Sequence, residues 1–237
     1  MLKDLFKDSG CPRGKVGKLI LSMMNRGHRE LHEWALSLVE IAPRSRALDI
    51  GCGGGSAMAL LLRRCREGKV CGIDVSECGL ECSARRNANA IAAGRCEVRA
   101  GSAEAIPYPP GYFDIATAFE TLYFWPDLDG AFAEILRALK PGGTFLIANH
   151  QADPEHAEWT DVVDNMTVRG EEEITARLAR ALHRNRGASQ RKGLALRNRE
   201  EAGAARLAAE IYARGAYTKQ AGALRLGLFA LEGSFMV

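Results

Sequence analysis

The chain predicts a doubly wound α/β sandwich: a mostly parallel sheet with helices on both faces. Three observations carry that expectation. Short apolar strands alternate with helical segments between Arg46 and Asn149, the pattern of a parallel sheet closed by right-handed crossovers. The first strand runs straight into a glycine-rich turn, ALDIGCGGGS at Ala47–Ser56. Pro141-Gly142-Gly143 stops the last amphipathic helix and releases the chain into another strand.

Arg46–Gly51 is a short apolar strand that ends in glycine, and Ser56–Arg64 (SAMALLLRR) is rich in good helix formers. Lys69–Asp74 (KVCGID) reads as the second strand, and Ser76 is placed to cap a helix running to about Ala93. Cys96–Ala100 and Tyr112–Phe119 give the third and fourth strands. Within Asp127–Lys140, Phe132, Ile135, Leu136 and Leu139 recur on one helical face, and Thr144–Asn149 is the fifth strand. Ahead of the sheet, Lys15–Val39 carries Leu19, Met23, Met24, Leu31, Trp34 and Leu38 at spacings that suggest one or two amphipathic helices. These either pad the sheet edge or lie over the ligand crevice as a lid.

Composition narrows the class. The 237 residues are 47% hydrophobic and 26% charged, as in a soluble globular protein. No apolar run approaches the ~20 residues that span a bilayer, and MLKDLFKDSG lacks a signal-peptide core, so a cytoplasmic protein without a membrane partner is expected. The seven cysteines form no CxxC pair, which suggests neither a disulfide framework nor a zinc site; no metal is expected.

In a doubly wound sheet the ligand sits beyond the carboxyl ends of the strands at the switch point, where the first strand-to-helix turn lies. Glycine there permits positive φ and lets a ligand approach without a Cβ in the way. Gly51 and Gly53 fit the first two glycines of GxGxxG, but the last position is Ser56, a weak match that leaves an NAD(P)-dependent oxidoreductase open. Asp49 would repel a pyrophosphate but suits a cationic ligand. Asp74 ends the second strand about 20 residues after the glycines, where a carboxylate accepts from both ribose hydroxyls.

LDIGCGGG, GIDVS, AGSAEAIPYPPGYFDIATAF and LKPGG occur in this order between Arg46 and His150. Together they resemble the motifs of the class I S-adenosylmethionine-dependent methyltransferases, which have a Rossmann-like fold, and most closely the small-molecule branch that includes ubiquinone and menaquinone methyltransferases. MMNRGH at Met23–His28 and AFETLYFWPD at Ala118–Asp127 also look like an uncharacterised bacterial subgroup of that branch. The resemblance implies S-adenosylmethionine as cofactor and methyl transfer to a small-molecule acceptor. It implies that Gly51 and Gly53 pass their backbone along the methionyl part, that Asp74 holds the ribose and Val75 packs on the adenine, and that Asp49, Cys52 and Ser76 also belong to the cofactor site. Ser102 and Ala103 would face the adenine edge, and Phe119 and Glu120 the sulfonium end. A sulfonium with a carboxylate and an ammonium calls for amides, acids and aromatic faces, not a phosphate clamp.

A base is needed only if the acceptor must lose a proton. The catalytic candidates are His28 and Glu120, with His150 following the fifth strand. Tyr123-Phe124-Trp125 offers either a substrate wall or ordinary packing. No Asn/Asp-Pro-Pro-Tyr/Phe follows the fourth strand, which argues against a nucleic-acid amino-methylase, and no set of cysteines suits arsenite.

The domain reading is therefore residues 1–45 as a helical lid, 46–181 as the cofactor-binding domain and 182–237 as an atypical basic tail. Glu171–Ala181 (EEEITARLARA) reads as the helix that leads to the family's final strands. The next stretch, LHRNRGASQRKGLALRNREE, reads as no clear strand, so the C-terminal strands are expected to be missing or altered. Dropping one base from codons permitted at Leu182–Arg186 allows Phe-Thr-Glu-Ile-Glu, and the same shift at Lys192–Glu201 allows Lys-Gly-Trp-Leu-Cys-Val-Thr-Ala-Arg-Lys. These strings look like the subgroup's final strands, which points to a frameshift near Ala181 and would make the tail's positive charge an accident of reading frame. A non-catalytic cofactor-binding or scaffold protein of the same fold is the second functional class. The sequence leaves open the acceptor, the atom methylated and the oligomeric state.

Overall fold

A computed structural model of the chain describes residues 6–151, 153–156, 159–193, 209–211 and 227–233. Two helices precede the sheet, α1 (Gly14–Gly27) and α2 (Arg29–Ser37). The alternating part follows as β1 (Arg46–Ile50), α3 (Ser56–Arg64), β2 (Lys69–Asp74), α4 (Glu77–Arg86), α5 (Ala88–Ala92), β3 (Cys96–Ala100), β4 (Phe113–Phe119), α6 (Leu128–Ala138) and β5 (Leu139–Asn149). The chain closes with α7 (Glu171–Gly193), β6 (Ala209–Ile211) and β7 (Gly227–Gly233).

The strands form one seven-stranded sheet in the order β3-β2-β1-β4-β5-β7-β6. The first five are parallel, β7 is antiparallel to β5, and β6 is antiparallel to β7. The C-terminal strands, expected to be missing or altered, are present: β7 pairs with β5 from Phe145↔Leu231 to Asn149↔Gly227. Its sequence, GLFALEG, is an apolar run downstream of the Arg-rich stretch, so reading only that stretch hides it. The sixth strand is short, three residues. The helix expected to end at Ala181 runs on to Gly193, and Leu194–Glu201, part of the suspected frameshift, lies outside the described residues.

Period-two alternation assigns the strand residues to the two faces. Leu48, Ile50, Ala116, Ala118, Phe145 and Ile147 pack with Phe132 and Ile135 of α6 and with Ile174 and Leu178 of α7. Their neighbours Ala47, Ile115, Leu146 and Ala148 face the other way, onto Leu31, Ala35 and Leu36 of α2 and Met58 and Leu61 of α3. Both faces are thus covered, as parallel strands require.

Local differences have local causes. Ser76 caps α4, its hydroxyl accepting from Gly79 N at 3.2 Å, but the helix expected to reach Ala93 breaks at Asn87, whose side-chain amide donates to Ser83 O and Gly55 O. Leu139–Asn149 forms a single strand, with a register shift against Phe113/Ile115, where Thr144–Asn149 alone was expected. In α1 the buried residues are Gly17, Ile20 and Leu21, while Leu19 and Met23 are exposed, as is Leu38 after α2. The helix carries two apolar stripes, and the packing takes the one that includes the small residue: a Cβ on Gly17 would stand 2.7 Å from the Pro12 carbonyl carbon.

The order of strands places the switch point between β1 and β4, whose carboxyl ends open a crevice.

Candidate functional site

The crevice starts from the turn after β1. Gly51, Gly53 and Gly55 all have positive φ, at 69°, 48° and 74°. At Gly51 a Cβ would also fall 2.2 Å from Thr121 Oγ1, so the ends of β1 and β4 meet closely only because that side chain is absent.

Four amides of this turn are already committed. Gly51 N and Cys52 N both donate to Ile73 O, at 2.8 and 3.0 Å, and Gly55 N donates to Cys52 O at 2.8 Å. Gly53 N donates to Asp74 Oδ2 at 2.7 Å, and Ser76 N donates to Asp74 Oδ1 at 2.8 Å. Phosphate-binding turns point free N–H groups at the anion; here those amides face inward. The other Asp74 lone pairs remain available, since a carboxylate has about four acceptor sites.

The charges agree with the amides. Asp49, Asp74, Glu104 and Glu120 line the crevice, and among the described residues no Lys or Arg does. Asp49 is fully buried and accepts from Thr117 Oγ1 at 2.8 Å. Burial pushes its pKa up to about 7; the Thr117 bond opposes this and the Asp74 charge adds to it. Burial also raises Asp74, against the pull of the backbone amides. Glu104 Oε1 is buried without a hydrogen-bond partner among the described residues. Val75 stands at the lip with 63% of its surface exposed, an apolar side chain with nothing over it. The site suits a ligand with cationic and hydroxyl groups and a flat apolar portion.

Twelve residues singled out in the sequence line this crevice: His28, Asp49, Gly51, Cys52, Gly53, Asp74, Val75, Ser76, Ser102, Ala103, Phe119 and Glu120. Several also have structural work. The Cys52 thiol is buried, with its pKa pushed well up by burial and by the Asp74 and Asp49 charges. Ser76 Oγ donates to Pro12 O at 2.8 Å, Ala103 belongs to the core, and Phe119 packs on His32, ring centroids 4.8 Å apart. The N-terminal segment does more than pad an edge. Leu21, Met24 and Asn25 of α1, with Ser9, Gly10 and Pro12 before it, form one wall of the crevice.

At the inner end, three elements bring imidazoles to one carboxylate. His28 lies between α1 and α2, Glu120 follows β4 and His150 follows β5. Glu120 has φ 57°, left-handed for a non-glycine residue, a conformation that costs on the order of 1–3 kcal/mol and persists where the surroundings fix it. Glu120 Oε1 lies 3.2 Å from His150 Nδ1 and accepts from His150 N, and Oε2 lies 3.9 Å from His28 Nε2. Burial works against charge on Glu120 and on His150. Their mutual interaction wins, holding the carboxyl below and the imidazole above its usual range. Burial lowers His28, and it drives His32 down to about 3, so His32 is neutral beside Ser56 Oγ.

Beyond this cluster lies a second chamber. Phe6, Met24, Tyr123, Phe124, Trp159, Val163 and Met166 give it apolar walls, and His28, Glu120, His150 and Gln151 give it a polar end. Tyr123 and Phe124 are thus wall residues, while Trp125 packs into the core and also touches the first crevice. Gln151 Oε1 is buried without a hydrogen-bond partner among the described residues. Sequence reading missed Glu104, Gln151 and the place of His150 in this cluster. Glu104 was open to detection, as a carboxylate in the turn after β3 with no basic neighbour. The convergence of His28 and His150 was not, because 121 residues separate them.

Residues 48–147 match the sequence family described as a methyltransferase domain. The chain is 27% identical to the phthiotriol/phenolphthiotriol dimycocerosates methyltransferase 1 of Mycobacterium ulcerans, over 68% of this chain and 58% of that one. It is 32% identical to the 24-methylenesterol C-methyltransferase 2 of Oryza sativa subsp. japonica, over 58% of this chain and 40% of that one. It therefore spans about half the length of these relatives. Among solved structures, the [4+2]-cyclase SpnF superposes with a TM-score of 0.56 at 25% identity, covering 65% of this chain and 56% of that one. No helix among the described residues is long and apolar enough to cross a membrane.

The charge state of Asp49 is measurable. Its folded pKa is about 7 against 3.8 for the free group, so the folded chain holds a proton that the unfolded chain has lost. Asp49 therefore contributes stability fully below about pH 4, and this is lost as pH rises towards 7, an effect on the order of 4 kcal/mol. Thermal melts of the ligand-free protein between pH 4 and 7.5 should show wild type losing stability relative to Asp49→Asn. Parallel curves would contradict the assignment.

Proposed function

Residues 48–147 belong to the class I S-adenosylmethionine-dependent methyltransferase family, and on that premise we propose that this chain transfers a methyl group from S-adenosylmethionine to a small molecule with an apolar body. The observation that carries the reading is the acid-lined crevice whose turn amides are turned inward. It fits a nucleoside bearing a sulfonium and an ammonium, and it disfavours the pyrophosphate of a nicotinamide dinucleotide.

The residues divide the work. Asp74 holds the ribose hydroxyls with the lone pairs that Gly53 N and Ser76 N leave open. Val75 covers one face of the adenine, while Ser102, Ala103 and the unpartnered Glu104 Oε1 meet its edge. Asp49 faces the cationic methionyl group, and Phe119 and Glu120 close the sulfonium end. Bound S-adenosylmethionine supplies a methyl group that is already activated, so the chain has mainly to orient the partners and exclude water. The first crevice meets the apolar chamber at His28 and Glu120, which line both. These two residues, joined by His150, receive the acceptor's reactive atom. Gln151 Oε1 accepts from a donor elsewhere on the acceptor.

Two of the relatives are named as methyltransferases of phthiotriol dimycocerosates and of 24-methylenesterol, which supports an acceptor with a large apolar portion. The likeness to a cyclase supports a second class of reading, in which the same crevice holds the nucleoside without donating methyl. We place the protein in the cytoplasm, because its seven cysteines are all free thiols. We treat α1 and α2 as a lid over the crevice, and the tail as the product of a frameshift near Ala181. Resequencing the gene checks the last point: a single unshifted frame, with codons that do not permit the alternative strings, would reject it.

S-adenosylhomocysteine should raise the melting temperature, since a ligand that binds only the native state stabilises it, and NADH should not. Asp74→Asn should weaken S-adenosylhomocysteine roughly 10–100-fold, the worth of one or two hydrogen bonds to a charged group. Unchanged affinity would remove Asp74 from the site. Label from methyl-labelled S-adenosylmethionine should appear in an apolar fraction of a metabolite extract; binding without transfer to any fraction would favour the second reading.

A further inference from the structure

We propose that His28, Glu120 and His150 bind one divalent first-row transition-metal ion, of the zinc class, where the two cavities meet. The binding claim rests on geometry alone; the role given to the ion rests on the methyltransferase reading.

His28, Glu120 and His150 each offer one ligand atom, a ring nitrogen or a carboxylate oxygen, and these lie within 4.8 Å of one another. Two ligands on a tetrahedral ion with bonds of about 2.0–2.2 Å stand roughly 3.3–3.6 Å apart. His150 Nδ1 lies 3.2 Å from Glu120 Oε1, and His28 Nε2 lies 3.9 Å from Glu120 Oε2. The first is already close to the spacing of a coordinated pair, and the second reaches it if the His28 ring closes on the carboxylate by roughly 0.3–0.6 Å on that geometry. A hydrogen bond between His28 and Glu120 is excluded at 3.9 Å. The carboxylate therefore has an imidazole nitrogen on each side, one of them beyond bonding distance, and a shared ion accounts for both.

The donor set is two imidazoles and a carboxylate. That set suits zinc, iron, cobalt, nickel and manganese rather than calcium or magnesium, which take oxygen ligands. Three protein ligands with open positions mark catalytic rather than structural sites. Here the open side faces both cavities, since His28 and Glu120 line the two of them. Each ligand comes from a different element, and Glu120 is held in place by its left-handed backbone and by the His150 amide. Such an ion would anchor an oxygen or nitrogen of the acceptor facing the methyl donor.

The test uses the full chain stripped of metal by chelator. Cobalt(II), titrated as a spectroscopic stand-in, should give visible d–d bands that saturate at one equivalent, and zinc should displace it. His28→Asn and His150→Asn should each weaken cobalt binding at least tenfold, and the double variant should abolish the bands. The melting-temperature shift with S-adenosylhomocysteine, measured on the same variants, shows whether each is folded. Cobalt that fails to bind, or binds equally to the folded double variant, overturns the proposal and leaves His150–Glu120 as an ion pair. If wild type then still binds S-adenosylhomocysteine, the methyltransferase reading stands without the metal. If cobalt binds and the nucleoside does not, the metal site stands and that reading falls.

Discussion

The structure of the site depends on one carboxylate. Asp74 takes Gly53 N on one oxygen and Ser76 N on the other, at 2.7 and 2.8 Å. Those two bonds tie the turn after β1 to the end of β2 and to the start of α4. They also remove from the turn amides that would otherwise attract an anion, while keeping an acid with spare lone pairs beside the ligand space. A glycine turn of this kind binds phosphate in one protein and a cation in another; where its N–H groups point decides which.

The same constraint organises the electrostatics. With four of its turn amides committed and, among the described residues, no Lys or Arg on its walls, the crevice leaves Asp49 without a charge partner, and burial raises its pKa to about 7. A buried carboxyl in that state has much to gain from a cation. The protein thus holds a site that is electrostatically incomplete, and an ammonium or sulfonium completes it. Glu120, at the other end, is satisfied by His150 and marks the boundary with the apolar chamber.

Much of this was legible in the sequence because local chemistry dictated it. Gly51 and Asp74 stand at the ends of two short apolar strands, and that placement alone sets them at a switch point. The alternation of strands and helices made the succession of elements up to β5 and the parallel sheet readable. What was not legible depends on tertiary choice. The sequence of α1 offers two apolar stripes, and only packing against the Pro12 segment selects Gly17, Ile20 and Leu21. The inward turn of the amides is set by Ile73 O and Asp74, both a full β-α unit away in sequence. The pairing of β7 with β5 was obscured by an Arg-rich stretch that carries no strand pattern.

Isothermal titration of S-adenosylmethionine into the protein at pH 6.5, in two buffers of different ionisation enthalpy, tests the central claim most directly. If the crevice completes itself with a cation, binding releases a fraction of a proton from Asp49, and the apparent heats differ between the buffers for wild type but not for Asp49→Asn. Binding with equal heats in both buffers, or no binding at all, would contradict the account.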